Sequence, residues 1–138
     1  MKKRAIIVGL SCLVLAVAFA AHAKKEPPLK KEPPAKVCKP GKPCVCDGAS
    51  GCARTCDGPG CAFECKGAGA CVFRCDGGKC TVKASGTGPA QLQCKGNGCA
   101  MTCSGAGSCA LLSCTQGCTA ECSGAGACFD ECQDASCK

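Results

Sequence analysis

The chain has 138 residues, of which 21 are Cys and 19 Gly, with four Phe, no Trp or Tyr, and a formal net charge of +7. One compact domain is the expectation at this length. So few large apolar side chains cannot build an ordinary core, and cysteine at this density points to a disulfide scaffold in an exported chain.

The first segment fits export. Met1-Lys2-Lys3-Arg4 is basic, Ala5 to Ala21 carries no charge, and Ala21-His22-Ala23 has the small-x-small form of a cleavage site. Residues 1–23 are therefore expected to be a signal peptide. The apolar run is short for a membrane span, so no transmembrane segment is expected after cleavage. Cys12 does not look like an acylation site, because Gly9 stands where leucine would be wanted. Cleavage after Ala23 leaves 14 Lys/Arg, 10 Asp/Glu and 20 Cys, and removes the single histidine, His22.

Residues 24–45 read as a Lys/Pro-rich extended tail. "KKEPPLKKEPPAK" states a six-residue unit twice, and Pro-Pro favours polyproline II over helix or central strand. Such a spacer spans about 40 Å at ~3.1 Å per residue. The tail holds seven Lys and two Glu, whereas residues 46–138 hold seven basic and eight acidic residues. Lys24, Lys25, Lys30, Lys31 and Lys36 are thus the candidates for contact with an anionic envelope surface such as cell wall or lipid head groups. No aromatic residues interleave them, which argues against specific nucleic-acid readout.

From Cys46 the chain keeps a period of 19. Cys46, Cys65, Ala84, Cys103 and Cys122 form one column, and Cys52, Cys71, Ala90, Cys109 and Cys128 a second. Cys56, Cys75, Cys94, Ser113 and Cys132 form a third, and Cys61, Cys80, Cys99, Cys118 and Cys137 a fourth. Self-similarity at this period marks a solenoid. Between the columns, three-residue gaps alternate with glycine-rich loops of five or four residues, such as "KGAGA" and "DGGK". The short gaps alternate in polarity, as in Cys71-Val72-Phe73-Arg74-Cys75, and read as strands. Their centres stack into two inner columns: Phe63, Val82, Met101, Ala120, and Arg54, Phe73, Leu92, Leu111, Asp130. The charged members fall in the end coils, where a repeat stack needs polar closure. The glycines are expected to supply positive φ at the corners.

The fold class expected for residues 46–138 is therefore all-β: a narrow, two-sided parallel β-solenoid (β-helix) of about five 19-residue coils, stapled at its corners. The architecture resembles nonapeptide calcium rolls and the disulfide-braced solenoids of beetle antifreeze proteins. The likeness stops there, since these loops lack the calcium-binding Asp and the T-C-T coil is absent.

Cysteines four apart in a strand lie ~13 Å apart, too far for a disulfide. Partners must face each other across a loop or in the next coil. The double loss at Ala84 and Ala90 favours the loop. The expected pairs are Cys38–Cys44, Cys46–Cys52, Cys56–Cys61, Cys65–Cys71, Cys75–Cys80, Cys94–Cys99, Cys103–Cys109, Cys114–Cys118, Cys122–Cys128 and Cys132–Cys137. Pairing between cysteines 19 apart is the alternative, though a column of five leaves one thiol over. Cys114 sits one place past its slot, so a local bulge is expected there.

Catalysis is not expected. Without histidine no Ser-His or Cys-His pair exists, and C-x-x-C occurs nowhere. No cofactor is implied. The expected role is a non-catalytic structural or interaction module of the cell envelope or secreted space, with self-association through open coil ends as a further possibility. Two alternatives stand beside it. One is a secreted thiolate metal-binding protein, although only Cys44-Val45-Cys46 has metallothionein-like spacing. The other is an ice-binding solenoid, although charges interrupt both outer faces.

Overall fold

A computed structural model of the protein describes residues 35–131. Its strands are β1 (Lys36–Val37), β2 (Cys44–Cys46), β3 (Cys52–Cys56), β4 (Ala62–Cys65), β5 (Cys71–Cys75), β6 (Thr81–Ala84), β7 (Ala90–Cys94), β8 (Ala100–Cys103), β9 (Cys109–Leu112), β10 (Thr119–Cys122) and β11 (Cys128–Glu131). No helix is present among the described residues. The chain alternates between two parallel sheets. The first runs β1-β3-β5-β7-β9-β11 and the second β2-β4-β6-β8-β10. This is a β-solenoid of about five turns, each about 19 residues long.

The register follows the period. Phe63 pairs with Val82, Val82 with Met101, and Met101 with Ala120. On the opposite sheet Arg54, Phe73, Leu92, Leu111 and Asp130 form one row. Alternation within each strand then decides burial. In β5, Cys71, Phe73 and Cys75 are buried while Val72 and Arg74 face outward. Phe63, Phe73, Val82, Leu92, Met101 and Leu111 are essentially inaccessible. Phe63 and Phe73 stack across the two sheets with ring centroids 4.7 Å apart, a contact worth about 0.5–1.5 kcal/mol beyond area burial. The row ends are polar. Arg54 is half-buried and its guanidinium donates to the Ala53 carbonyl at 3.0 Å, while Asp130 is exposed.

The stack starts earlier than the cysteine ruler indicates. Residues up to 45 were expected to be tail, yet β1 pairs with β3 (Lys36 opposite Arg54) and β2 pairs with β4 (Val45 opposite Glu64). The physical reason is the Cys38–Cys44 staple, which closes a corner around "KPGKP" and returns Val45 to the sheet. Proline is tolerated because Pro40 and Pro43 lie in that corner and not in a strand.

The glycines divide into two functions, only one of which was expected. At the shorter corners Gly60, Gly98 and Gly117 have φ of 78°, 66° and 63°, and Lys79 occupies the same row at 55°. At the five-residue corners from Cys46 onward, and at Gly77 and Gly96 of the shorter ones, the reason is instead crowding, whereas Gly41 in the KPGKP corner has φ of 88° and open space. A Cβ on Gly67 would lie 2.0 Å from the Gly48 carbonyl oxygen, and one on Gly86 would lie 2.1 Å from that of Gly67. The fourth loop position repeats this. A Cβ on Gly69 would lie 2.2 Å from the Ser50 oxygen, and one on Gly126 1.9 Å from that of Gly107. The corners are this tight because their backbones stay hydrogen-bonded from coil to coil, as in Gly69 N–H to Gly48 C=O at 3.2 Å and Ser85 N–H to Cys65 C=O at 2.9 Å. Ser50, in the first of these corners, is the one non-glycine in its row.

The β7–β9 ladder ends at the Gln93–Leu112 pair. Ser113 follows with φ of 60°, and this bulge carries Cys114 one residue past the cysteine row.

Candidate functional surfaces and the corner columns

Nine disulfides close the corners among the described residues: Cys38–Cys44, Cys46–Cys52, Cys56–Cys61, Cys65–Cys71, Cys75–Cys80, Cys94–Cys99, Cys103–Cys109, Cys114–Cys118 and Cys122–Cys128. Each spans a loop, and none joins adjacent coils. The tenth expected pair, Cys132–Cys137, lies outside the described residues. Ala84 and Ala90 fill the empty cysteine slots and are themselves buried, so the backbone holds the repeat there without a staple.

The staples form two columns, and at two places their sulfurs crowd together. The Sγ atoms of Cys94, Cys114 and Cys118 lie within 4.8 Å of one another, as do those of Cys103, Cys109 and Cys122. The first group is buried throughout, and the Cys99 N–H donates to Cys118 Sγ at 3.2 Å. In the second group Cys103 and Cys109 are buried while Cys122 is exposed. With every one of these sulfurs engaged in a disulfide, neither group offers thiolates to a metal.

The outer faces are chemically mixed. Ala62, Thr81, Ala100 and Thr119 form one row of the second sheet, beside Val45, Glu64, Lys83, Thr102 and Glu121. The first sheet carries Ala53, Val72, Gln91, Ala110 and Phe129, beside Thr55, Arg74, Gln93, Leu112 and Glu131. Neither face presents an unbroken threonine row. Shallow depressions flank the unstapled corner. One of about 170 Å³ is lined by Val72, Pro89, Ala90 and Ala110, and one of about 230 Å³ by Glu64, Lys66, Lys83 and Thr102. Both are smaller than the roughly 300–1,000 Å³ of small-molecule sites.

Two ion pairs decorate this surface. Lys66 Nζ lies 2.6 Å from Glu64 Oε2, and Lys95 Nζ lies 3.3 Å from Asp76 Oδ1 in the neighbouring coil. The Lys66 hydrogen bond, then its charge, holds the Glu64 carboxyl below its ordinary value, and the same pair of effects raises Lys66.

Of the five lysines expected to meet an anionic surface, Lys24, Lys25, Lys30 and Lys31 lie outside the described residues. Lys36 is exposed on β1. The cysteine-column argument missed the first coil because only two cysteines mark it. Val37 and Val45, immediately flanking Cys38 and Cys44, were the available signal. No helix among the described residues is long and apolar enough to cross a membrane. No family model matches the chain, and no curated protein or solved structure matches it either.

Proposed function

We propose that the protein is a rigid, non-catalytic structural module of the cell envelope or secreted space, held near an anionic surface by its lysine- and proline-rich leading segment. The observation that carries this reading is the run of corner staples. Nine disulfides in 97 described residues call for an oxidising, extracellular-type environment. The stack they close offers two outer faces built on hydrogen-bonded parallel sheets. The leading segment supplies the charge, since its lysines outnumber its acids seven to two.

The first test is intact-mass analysis of the full chain expressed with its leader and recovered without reductant. The expected protein is lighter than its reduced form by two hydrogens per staple, resists alkylation and carries no metal. Reactive thiols with a bound metal ion would overturn the reading in favour of metal binding. The second test is cosedimentation with vesicles. Binding to anionic but not neutral vesicles is expected, and it should be lost when Lys24, Lys25, Lys30 and Lys31 are changed to Gln. Equal binding by that variant would sink the surface-contact part alone.

A further inference from the structure

The C-terminal corner column holds an arrangement that the structural role does not require. Parallel pairing sets Cys122 beside Cys103 and Cys128 beside Cys109. Cys122 Sγ comes within 4.8 Å of both sulfurs of the Cys103–Cys109 disulfide, whereas Cys128 belongs to no such group among the described residues. Cys122 and Cys128 are exposed, while Cys103 and Cys109 are each only 3% accessible. One coil further in, the column is interrupted, because Ala84 and Ala90 pair with Cys103 and Cys109.

We infer that the Cys122–Cys128 disulfide is an attachment site for a small external thiol, made durable by the disulfide beneath it. A thiolate attacks Cys128 Sγ along the disulfide. The new bond is a mixed disulfide on Cys128, and the Cys122–Cys128 bond breaks with its electron pair leaving on Cys122. At an isolated corner Cys122 would attack back and expel the thiol. Here it has a second disulfide within reach. Attack on Cys103 or Cys109 forms an inter-coil disulfide to Cys122 and releases the other buried sulfur as a thiolate, which takes a proton from solvent. One thiolate enters and one leaves, so no further oxidant or reductant is needed. Burial makes the released sulfur a poor leaving group, so this second exchange is slow in both directions; once the inter-coil bond has formed and the sulfur has taken up its proton, the return is slow and the adduct persists. Exchange cannot travel inward past Ala84 and Ala90. The other three-sulfur group, Cys94 with Cys114 and Cys118, is buried and admits no external thiol.

The test uses the oxidised full chain, glutathione at limiting concentration, an acid quench with N-ethylmaleimide, and disulfide mapping by mass spectrometry. The expected product carries glutathione on Cys128, a bond from Cys122 to Cys103 or Cys109, and maleimide on the remaining one of that pair. Maleimide on Cys122 and Cys128 with Cys103–Cys109 intact, or glutathione only at other cysteines, overturns the proposal. A double variant, Cys103→Ala with Cys109→Ala, reproduces the native Ala84/Ala90 corner and removes the acceptor. It should lose the persistent adduct while keeping Cys122–Cys128, and an undiminished adduct in this variant also overturns the proposal. The intact-mass experiment above is independent of both outcomes, because it reads the protein before any thiol is added.

Discussion

At Gly86 the side chain is absent because a neighbouring backbone occupies its place. A Cβ there would stand 2.1 Å from the Gly67 carbonyl oxygen, and the hydrogen-bonded corner leaves no room to retreat. Gly86→Ala is expected to destabilise the oxidised protein by about 3 kcal/mol, read as a fall in the denaturant midpoint. Gly58, at a shorter corner with nothing within 4 Å of its added Cβ and no positive φ, should accept alanine with little change. Equal losses at the two sites would show that crowding is not the reason for the G-x-G loops. Lys79 is the opposite case, an L-residue held at φ 55° in a row otherwise made of glycine among the described residues. Lys79→Gly should gain about 0.5–1 kcal/mol, the relieved left-handed strain less the added chain entropy. Sequence alone could not separate these functions. A glycine needed for φ and a glycine needed for clearance are the same letter, and only the distance to the coil below distinguishes them.

The coil is the element that matters, and its identity was legible because cysteine fills 17 of the 20 slots that four columns make over five periods. Columns, strand faces and the loop-spanning staples followed from spacing, the reach of a disulfide and the joint loss at Ala84 and Ala90. The first coil was hidden because its lysines and prolines resemble a linker. That unstapled corner also offers a test at this scale. Ala84→Cys with Ala90→Cys should form a tenth described disulfide, detectable by mass, and raise stability by about 2 kcal/mol for so short a loop. Failure to oxidise would mean that this corner has a geometry of its own. The Glu64–Lys66 pair adds a small pH-dependent contribution on the face beside it. With the Glu64 value lowered in the fold, its contribution is present above the ordinary carboxylate value of 4.5 and is lost as pH falls through the lowered one. With the Lys66 value raised, its share is present below 10.5 and lost as pH rises through the raised one. Both groups are in contact with water, so Glu64→Gln should flatten the acid limb of a stability–pH profile only slightly.

For the whole molecule, the staples and the ladder depend on each other. Buried apolar area is thin, two side-chain columns wide, and glycine-rich corners raise the entropy of the unfolded chain. Reduction of all the disulfides is therefore expected to abolish the far-ultraviolet β signal, with recovery on reoxidation. Retention of that signal would assign stability to the backbone ladder alone. Ser50 gives the assembled stack a consequence of a different kind. In its row, each Cβ would aim at the coil before it, and only Ser50, in the first five-residue corner of that column among the described residues, carries one. Periods duplicated anywhere above it arrive with their own clearance, whereas one inserted directly below would meet the serine. Adding or removing a whole unit of 19 residues above Ser50 is thus expected to keep the stack in register, whereas a single-residue insertion in a five-residue corner is expected to break it.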